Sequence, residues 1–127
     1  MNWEDFSIRD GLTDNNIRSI VADSRGGIWF ATGGGVSYYD GEGWASVTTA
    51  DGLADDDVWV IIEDSRGGMW FGTSEGLSYY SGKGWKTITT DDGLADNYVR
   101  YIAEDSYGNL WFATGNGVSR LEVLTGS

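Results

Sequence analysis

The stretch Asp23–Trp44, DSRGGIWFATGGGVSYYDGEGW, decides the fold because the chain repeats it twice. From residue 64 the sequence reads DSRGGMWFGTSEGLSYYSGKGW, and from residue 105 it reads DSYGNLWFATGNGVSRL. The copies are 41 residues apart without insertion or deletion, which gives three units at residues 2–42, 43–83 and 84–124. A fixed period of about 40 residues, with tryptophans and glycines in register, is typical of repeat architectures and not of glycine-rich disorder.

Each unit predicts four short strands. In the second unit the segments GWASVTT (43–49), VWVIIED (58–64), MWFGT (69–73) and LSYY (77–80) are rich in β-branched and aromatic residues, which favours β-strands. The segments between them, ADGLADDD, SRGG, SEG and SGKG, contain the glycines, aspartates and serines that form loops and tight turns. No window places apolar residues at helical spacing, so we expect an all-β chain of antiparallel meanders.

Two strands of the second unit are apolar on both faces, and this separates the all-β architectures. VWVIIED and MWFGT are nearly continuous apolar runs, so both faces of their sheet need to be covered. A barrel or a two-layer sandwich covers one face and shows cleaner alternation of apolar and polar residues. Radial stacking of sheets covers both faces, as in a β-propeller. We therefore predict three β-propeller blades, with a β-solenoid as the alternative.

The composition limits the function. The 127 residues suffice for one domain, and they include neither cysteine nor histidine. These are the residues of disulfides, of thiolate metal sites and of the usual general base, so we expect no enzyme, no metal and no cofactor. Glycoside hydrolysis, which needs only two carboxylates, is the enzymatic alternative. The net charge of −12 argues against nucleic acid and anionic membranes as partners.

The beginning of the chain shows no targeting signal. The residues MNWEDFSIRD lack the basic start and the apolar centre of a secretory signal peptide. No apolar run in the sequence is long enough to span a bilayer. These residues indicate either a cytosolic protein or a trimmed or engineered chain, and we expect no membrane partner.

The third unit carries a family resemblance. Its residues Asp92–Val118 follow the pattern DGL-x-D-N-x-V-x-x-I-x-x-D-x-x-G-x-L-W-F-x-T-x-x-G-V, which resembles the two-component regulator propeller repeat, and the other units match nearly as well. The resemblance implies seven-bladed rings that serve as periplasmic sensor domains of hybrid histidine kinases, many of which respond to glycans. It thus implies a periplasmic parent. This chain has three units and no kinase or DNA-binding segment, so we expect no signal transmission by the chain itself.

Residues identical in all three units are predicted to be structural. They include Asp23, Asp64 and Asp105 before the turns, and Trp29, Trp70 and Trp111 in the strands that follow. We expect the aspartates to accept hydrogen bonds from turn amides, with a catalytic carboxylate as the alternative. We expect the tryptophans to pack between blades, with carbohydrate stacking as the alternative. The acidic run at residues 55–57 lacks the ligand spacing of a calcium site.

Positions that differ between the units predict a ligand site. If the strands run from the centre of the ring outward, the start of the innermost strand lies at the mouth of the central channel. The predicted ligand-binding residues are Arg18, Trp59, Arg100, Asp57, Tyr98 and Glu75. Arginine binds carboxylates through paired hydrogen bonds, and an indole face stacks on a sugar, so a saccharide or a small anion such as a uronic acid fits. In the alternative interpretation the arginines only offset nearby aspartates.

The two ends of the chain predict self-association. The segment NWEDFSI at residues 2–8 matches the outermost-strand segments GWASVTT and GWKTITT, whereas the last unit stops after its third strand. In a head-to-tail ring, the Trp3 strand of one chain would pair with the Val118–Val123 strand of its neighbour. Three blades per chain permit a six-bladed homodimer, which we favour, or a nine-bladed homotrimer. We therefore expect a non-enzymatic module that assembles with itself, and a sensor fragment that binds a glycan or a small anion is the alternative.

Overall fold

The computed structural model describes residues 1–122 and confirms the predicted all-β class. These residues form two single-turn 3₁₀ helices, at Thr49–Asp51 and Thr90–Asp92, and a series of short strands. The strands are β1 (Ile17–Ala22), β2 (Ile28–Thr32), β3 (Gly35–Tyr39), β4 (Trp44–Val47), β5 (Val58–Glu63), β6 (Met69–Thr73), β7 (Gly76–Tyr80), β8 (Trp85–Ile88), β9 (Val99–Glu104), β10 (Leu110–Thr114) and β11 (Gly117–Leu121).

The strands form three antiparallel meanders, which we call blades. The first blade contains β1–β4, the second contains β5–β8 and the third contains β9–β11. In every blade, strands that follow one another in the sequence are neighbours in the sheet. Contacts between β1 and β5, and between β5 and β9, place these first strands side by side at the inner edge of the arc. Strand order therefore runs from the centre outward.

The hydrophobic core lies between the blades. At the first junction, Ala31 and Val36 of the first blade pack with Val58, Ile61 and Phe71 of the second. At the second junction the same arrangement recurs one blade later, where the cluster includes Val60, Trp70, Leu77, Val99, Ile102, Leu110 and Phe112. The second blade is consequently covered on both faces, which is why its strands β6 and β7 carry almost no exposed residue.

The loops between blades are held by local turn chemistry. Thr48 and Asp51 form a capping box around the first 3₁₀ helix, and Gly52 follows at a φ of 124°, a backbone region that disfavours other residues. The next residue, Leu53, is buried at the first junction. The Ala54 amide then donates to the Ser78 hydroxyl at 2.8 Å, which pins the loop to β7. Each loop thus inserts one leucine between two blades.

The ends of the arc differ from its middle. The third blade has three strands within the described residues, and Val123 and Leu124, which the sequence analysis assigned to the last strand and unit, lie outside them. The Trp3 segment, predicted to be an outermost strand, forms no strand within the chain, and Trp3 is 83% exposed. The two 3₁₀ helices are far too short to cross a membrane, and residues 1–122 contain no helix that could do so.

Candidate functional site

A β-bulge lies at the start of every inner strand. Strand pairing skips one residue there, since Ile17 faces Thr32 while Ser19 faces Ala31. The skipped residues of the three blades are Arg18, Trp59 and Arg100. A bulge breaks the regular alternation and re-aims the side chain of the extra residue. The three residues that the sequence placed at the channel mouth therefore occupy the same special backbone position at the inner edge.

Arg18 is engaged across the first blade junction. Its guanidinium forms a salt bridge with Asp57 of the second blade and donates to the Val58 carbonyl at 3.3 Å. The guanidinium carbon also lies 3.8 Å from the centroid of the Trp59 ring, a cation–π contact. One face of the Trp59 indole is thus covered by Arg18, so a sugar ring can reach that face only by displacing the arginine.

Asp57 is the centre of the hydrogen bonds at this junction. Besides Arg18, it accepts a hydrogen bond from the Ser74 hydroxyl, which in turn accepts from the Trp59 indole nitrogen at 3.0 Å. Desolvation pushes the pKa of Asp57 upward, but the hydrogen bonds from Ser74 and Arg18 and the arginine charge outweigh it and lower the pKa below its ordinary value. Asp57 is therefore held as a carboxylate.

Arg100 has a different environment from Arg18. Its guanidinium carbon lies 5.3 Å from the centroid of the Tyr98 ring, and that ring lies 5.8 Å from the Trp59 ring. Within residues 1–122, no carboxylate lies within salt-bridge distance of Arg100. Arg100 thus presents an exposed cation, unpaired within the described residues, beside the Tyr98 ring at the inner edge of the third blade.

The structure brings five of the six predicted ligand-binding residues into one row. Contacts run from Arg18 through Asp57 and Trp59 to Tyr98 and Arg100. Glu75 lies next to this row, on the exposed turn after Ser74, and only its amide has a described contact, to the Thr73 hydroxyl at 3.1 Å. Within the described residues, no group of three or more acidic side chains is placed to hold a metal ion.

The repeated aspartates organise the turns between the first and second strands of each blade, at the opposite end of the inner strand from the bulge. Oδ1 of Asp64 accepts from the amides of Arg66 and Gly68, and its Oδ2 accepts from the Trp70 indole at 2.8 Å. Asp23 and Asp105 make the same three bonds in their own blades. The indole bond is new relative to the sequence analysis, although an Asp–Trp spacing of six residues in all three units carries its signal.

These bonds also set the ionisation of two of the aspartates. For Asp23, desolvation raises the pKa, but the Trp29 indole and the turn amides more than compensate and lower it. For Asp105, the Trp111 indole bond is the main cause of a lowered pKa. The aspartates hold a turn and aim a tryptophan, which is a structural task.

A second set of contacts between blades escaped the sequence analysis. Ser24 donates to the Glu63 carboxylate of the next blade through its amide at 2.8 Å and its hydroxyl at 2.7 Å. Ser65 makes the same pair of bonds to Glu104, and here the hydroxyl bond measures 2.6 Å. At the position of these glutamates the first blade carries Ala22. The serine–glutamate clamp is therefore a feature of the two internal junctions only.

The sheet faces at the two ends of the arc expose residues that are buried at the internal junctions. Ile20 is 61% exposed, whereas Ile61 and Ile102, at the same blade position, are 1% and 2% exposed. At the other end, Trp111 is 39% exposed and the equivalent Trp70 is 6% exposed. Further exposed apolar side chains lie at the same two ends, namely Trp3, Phe6, Ile8, Tyr101, Val118 and Leu121.

Comparison with protein families gives one description for all three units. The model of the two component regulator propeller matches residues 11–34, 52–75 and 93–116. Each match begins at the glycine before the buried leucine that precedes a blade. It ends in the turn between the second and third strands of that blade. A comparison with curated proteins gave no match.

Solved structures give the same fold. The extracellular domain of the putative hybrid two component system BT3049 from B. thetaiotaomicron matches with 30% identity and a TM-score of 0.84, over 93% of this chain and 17% of that one. The extracellular domain of BT4673 from the same organism matches at 21% identity, with a TM-score of 0.71, over 90% and 19%. A catalytically inactive virginiamycin B lyase from Staphylococcus aureus matches at 18% identity, with a TM-score of 0.63, over 89% and 43%. The chain thus spans less than a fifth of the length of the two extracellular domains.

Proposed function

The chain belongs to the two-component regulator propeller family, and on that premise we propose that it is a ring segment that closes a propeller by packing head to tail against further copies of itself. A propeller blade needs a neighbour on each face, because both faces of its sheet are apolar. Over residues 1–122, only the second blade has a neighbouring blade on each face. The first and third blades therefore each offer one face to a partner.

The observation that carries this proposal is that the two end faces match. The first blade presents Ile20 and Phe30, which correspond to Ile61 and Phe71 in the buried first junction. The third blade presents Trp111, which corresponds to Trp29 and Trp70. Contact of these faces between copies would repeat the internal junctions, and it would cover apolar area that soluble monomers seldom leave open. Six blades as a homodimer is the favoured size, with nine as a homotrimer next.

The proposed role is structural and not catalytic. The lyase neighbour was made inactive by replacing a histidine, and this chain has no histidine. Its likeness at 18% identity concerns the fold alone. The repeated aspartates, which are the most regular carboxylates of the chain, are committed to turn amides and indoles. These contacts support a structural role.

The mass of the full chain in solution tests the proposal. Light scattering at micromolar concentration is expected to give the mass of two chains for a six-bladed ring or of three chains for a nine-bladed ring. The two ring sizes differ by the mass of a whole chain, so the measurement distinguishes them. A single-chain mass under these conditions would contradict self-assembly.

A second candidate function is the binding of an acidic saccharide or a small anion at the inner edge. Arg100 favours it, because its guanidinium is exposed, is unpaired within the described residues and lies beside Tyr98, whose ring contacts Trp59. Arginine pairs with carboxylates bidentately, and aromatic rings contact sugar faces. Arg18 contributes less, since Asp57 already occupies it.

Titration with an oligogalacturonate tests this candidate, and the neutral oligogalactoside is the matched probe. The site is supported if the acidic probe binds the wild-type protein, Arg100→Ala abolishes that binding, and Glu42→Gln, on an exposed turn outside the row, leaves it unchanged. Equal affinity of the wild-type protein and the Arg18→Ala/Arg100→Ala variant would assign both arginines to charge balancing.

A further inference from the structure

Among the described residues 1–122, the third blade has an open slot where the other two blades hold a tryptophan. In the first blade Gly11 lies directly against Trp44, and in the second Gly52 lies against Trp85, so close that a Cβ on either glycine would stand 2.7 Å from the indole side chain. Gly93 is the equivalent residue, and no described atom lies within 4 Å of the place its Cβ would take. A cavity of about 130 Å³ lies here instead, lined by Gly93, Phe112 and Leu121 among others.

The lining of this slot corresponds to a tryptophan site. Trp85 packs against Phe71 and Tyr80 of its own blade, with ring centroids 5.1 and 4.8 Å apart. Phe112 and Leu121 stand at these two positions in the third blade, and Leu121 is exposed. The slot is therefore complete except for the indole itself.

The beginning of the chain carries a segment of the right sequence in the right place. We call residues 2–7 the strap; they occupy the positions of β4 and β8 in the repeat, and they share the tryptophan, with Trp3 at the position of Trp44 and Trp85. The strap leads into a turn that copies the later units, since the Ser7 amide donates to Asp10 as the Thr48 amide donates to Asp51.

The strap is held on the side of the first blade that faces away from the second. Phe6 lies 5.7 Å from Tyr39 and 5.6 Å from Trp44, as ring centroids. Val47, its counterpart in the next unit, lines a cavity with Tyr80 and Trp85 in the same manner. The strap thus stands where the outer strand of a preceding blade would lie, and Trp3 at its far end is exposed.

Strand register supplies a charge match between strap and slot. In the first blade Tyr38 faces Ala45, and in the second Tyr79 faces Lys86. Carried one blade further, this register sets Arg120 opposite Glu4 of the strap, and Leu121 opposite Trp3. Opposite charges directly across an antiparallel pair of strands attract each other. Neither the first nor the second blade has an oppositely charged pair at this position. Arg120 now rests beside Trp111, 5.6 Å from the ring centroid, without a salt bridge to any residue in 1–122.

We infer that the strap of a second copy of this chain becomes the fourth strand of the third blade, with its Trp3 in the slot over Gly93 and its Glu4 paired with Arg120. The inference rests on the proposed self-assembly but goes further, because end faces can pack without exchanging a strand. The exchanged strand covers the open edge of β11, and its Glu4–Arg120 pair fixes the register between the copies.

Disulfide trapping between copies tests the exchange, and the chain is suited to it because it contains no cysteine. Protein carrying Glu4→Cys is mixed with protein carrying Arg120→Cys under mild oxidation, and disulfide-linked pairs are followed on non-reducing gels. Facing residues of paired strands are close enough for a disulfide. We expect linkage roughly a hundredfold faster than for Glu4→Cys mixed with Asn116→Cys. Paired strands would hold the cysteines at positions 4 and 120 face to face, at a local concentration far above that in solution, whereas position 116 lies in the turn before β11.

The outcomes separate the exchange from self-assembly. If wild-type protein is oligomeric and linkage is no faster than in the Asn116→Cys control, the strap inference is wrong and the proposed function stands. A single-chain mass would overturn both. As a second measurement, Glu4→Arg and Arg120→Glu alone are each expected to raise the dissociation constant roughly fivefold per junction, and the double variant to restore it. Failure of the double variant to restore association contradicts the pairing.

Discussion

The indole of Trp70 meets the ring of Phe112 across the second blade junction, with their centroids 5.7 Å apart. The same contact joins Trp29 to Phe71 across the first junction, at 5.6 Å. In the third blade, Trp111 is the equivalent tryptophan, and no described blade follows it. In the first blade, Phe30 is the equivalent phenylalanine, and no described blade precedes it. The chain thus carries both halves of another junction at opposite ends.

Replacing Ile20 with aspartate is expected to break self-association without unfolding the chain. Ile20 is mostly exposed in the single chain, so a charge there costs little, but in a junction it would take the buried place of Ile61 or Ile102. Light scattering is expected to show single chains with unchanged far-ultraviolet circular dichroism. Tyr107→Asp is the control, because Tyr107 is also an exposed apolar residue, at 82% against 61% for Ile20, but lies on a hairpin turn. An Ile20→Asp oligomer of wild-type mass would contradict the proposed interface.

Replacing Ala22 with glutamate is expected to strengthen association. The new carboxylate would accept from the amide and hydroxyl of Ser106 on the neighbouring copy, as Glu63 accepts from Ser24. Because the clamp is exposed, its gain is about 1 kcal/mol per junction, or roughly a fivefold lower dissociation constant. Sedimentation equilibrium measures the change.

Ser106→Ala provides the control for the Ala22→Glu variant. In the Ala22→Glu background it removes the hydroxyl donor and is expected to cancel part of the gain, whereas in the wild-type chain it has no effect on association. A gain that survives Ser106→Ala undiminished would show that the glutamate acts elsewhere.

The two arginines of the inner edge are expected to differ in their effect on stability. Arg18→Ala removes the salt bridge to Asp57 and the stacking on Trp59, and is expected to lower the free energy of unfolding by about 1 kcal/mol. Arg100→Ala removes only an exposed contact with Tyr98, so the change is expected to stay within about 0.5 kcal/mol. Urea denaturation measures the free energy of unfolding of both variants. An equal decrease in the two variants would contradict the prediction that Arg18 stabilises the fold more than Arg100 does.

The contribution of Asp57 to stability is expected to depend on pH. Its pKa in the folded chain lies below the ordinary 3.8, so its stabilising effect is present above that value and is lost as the pH falls through it toward the folded pKa. Asp57→Asn is therefore expected to lower the melting temperature at pH 7, and the difference from wild type is expected to shrink below about pH 4. Glu75→Gln serves as control, and a difference independent of pH would contradict the prediction.

The strands could be predicted closely because apolar runs and glycine turns alternate in every unit. MWFGT coincides with β6 at Met69–Thr73, and VWVIIED exceeds β5 by a single residue. The 3₁₀ helices were missed, although Thr48 and Asp51 carry a capping-box signal at the correct spacing. The Trp3 segment has a strand sequence without a strand, because an outer strand exists only beside a third strand to pair with.

The candidate site could be placed from the sequence but its bonding could not. The repeat puts Arg18, Trp59 and Arg100 at one blade position, so their common edge follows from the period alone. The salt bridge between Arg18 and Asp57 joins two blades, and both positions vary between units, so no repeated spacing reveals it. The clamp between Ser24 and Glu63 had such a spacing in two units and was overlooked.

The nearest-neighbour strand order has a consequence for kinetics. Every strand pairs only with strands adjacent in sequence, so each blade can form within one molecule by successive hairpins, which close in about 1–10 μs. A junction between copies requires an encounter, and its rate grows with protein concentration. The chain contains no proline, so prolyl isomerisation adds no slow step. A slow refolding phase would therefore report assembly, and diluting the protein tenfold would slow that phase while leaving the fast one unchanged.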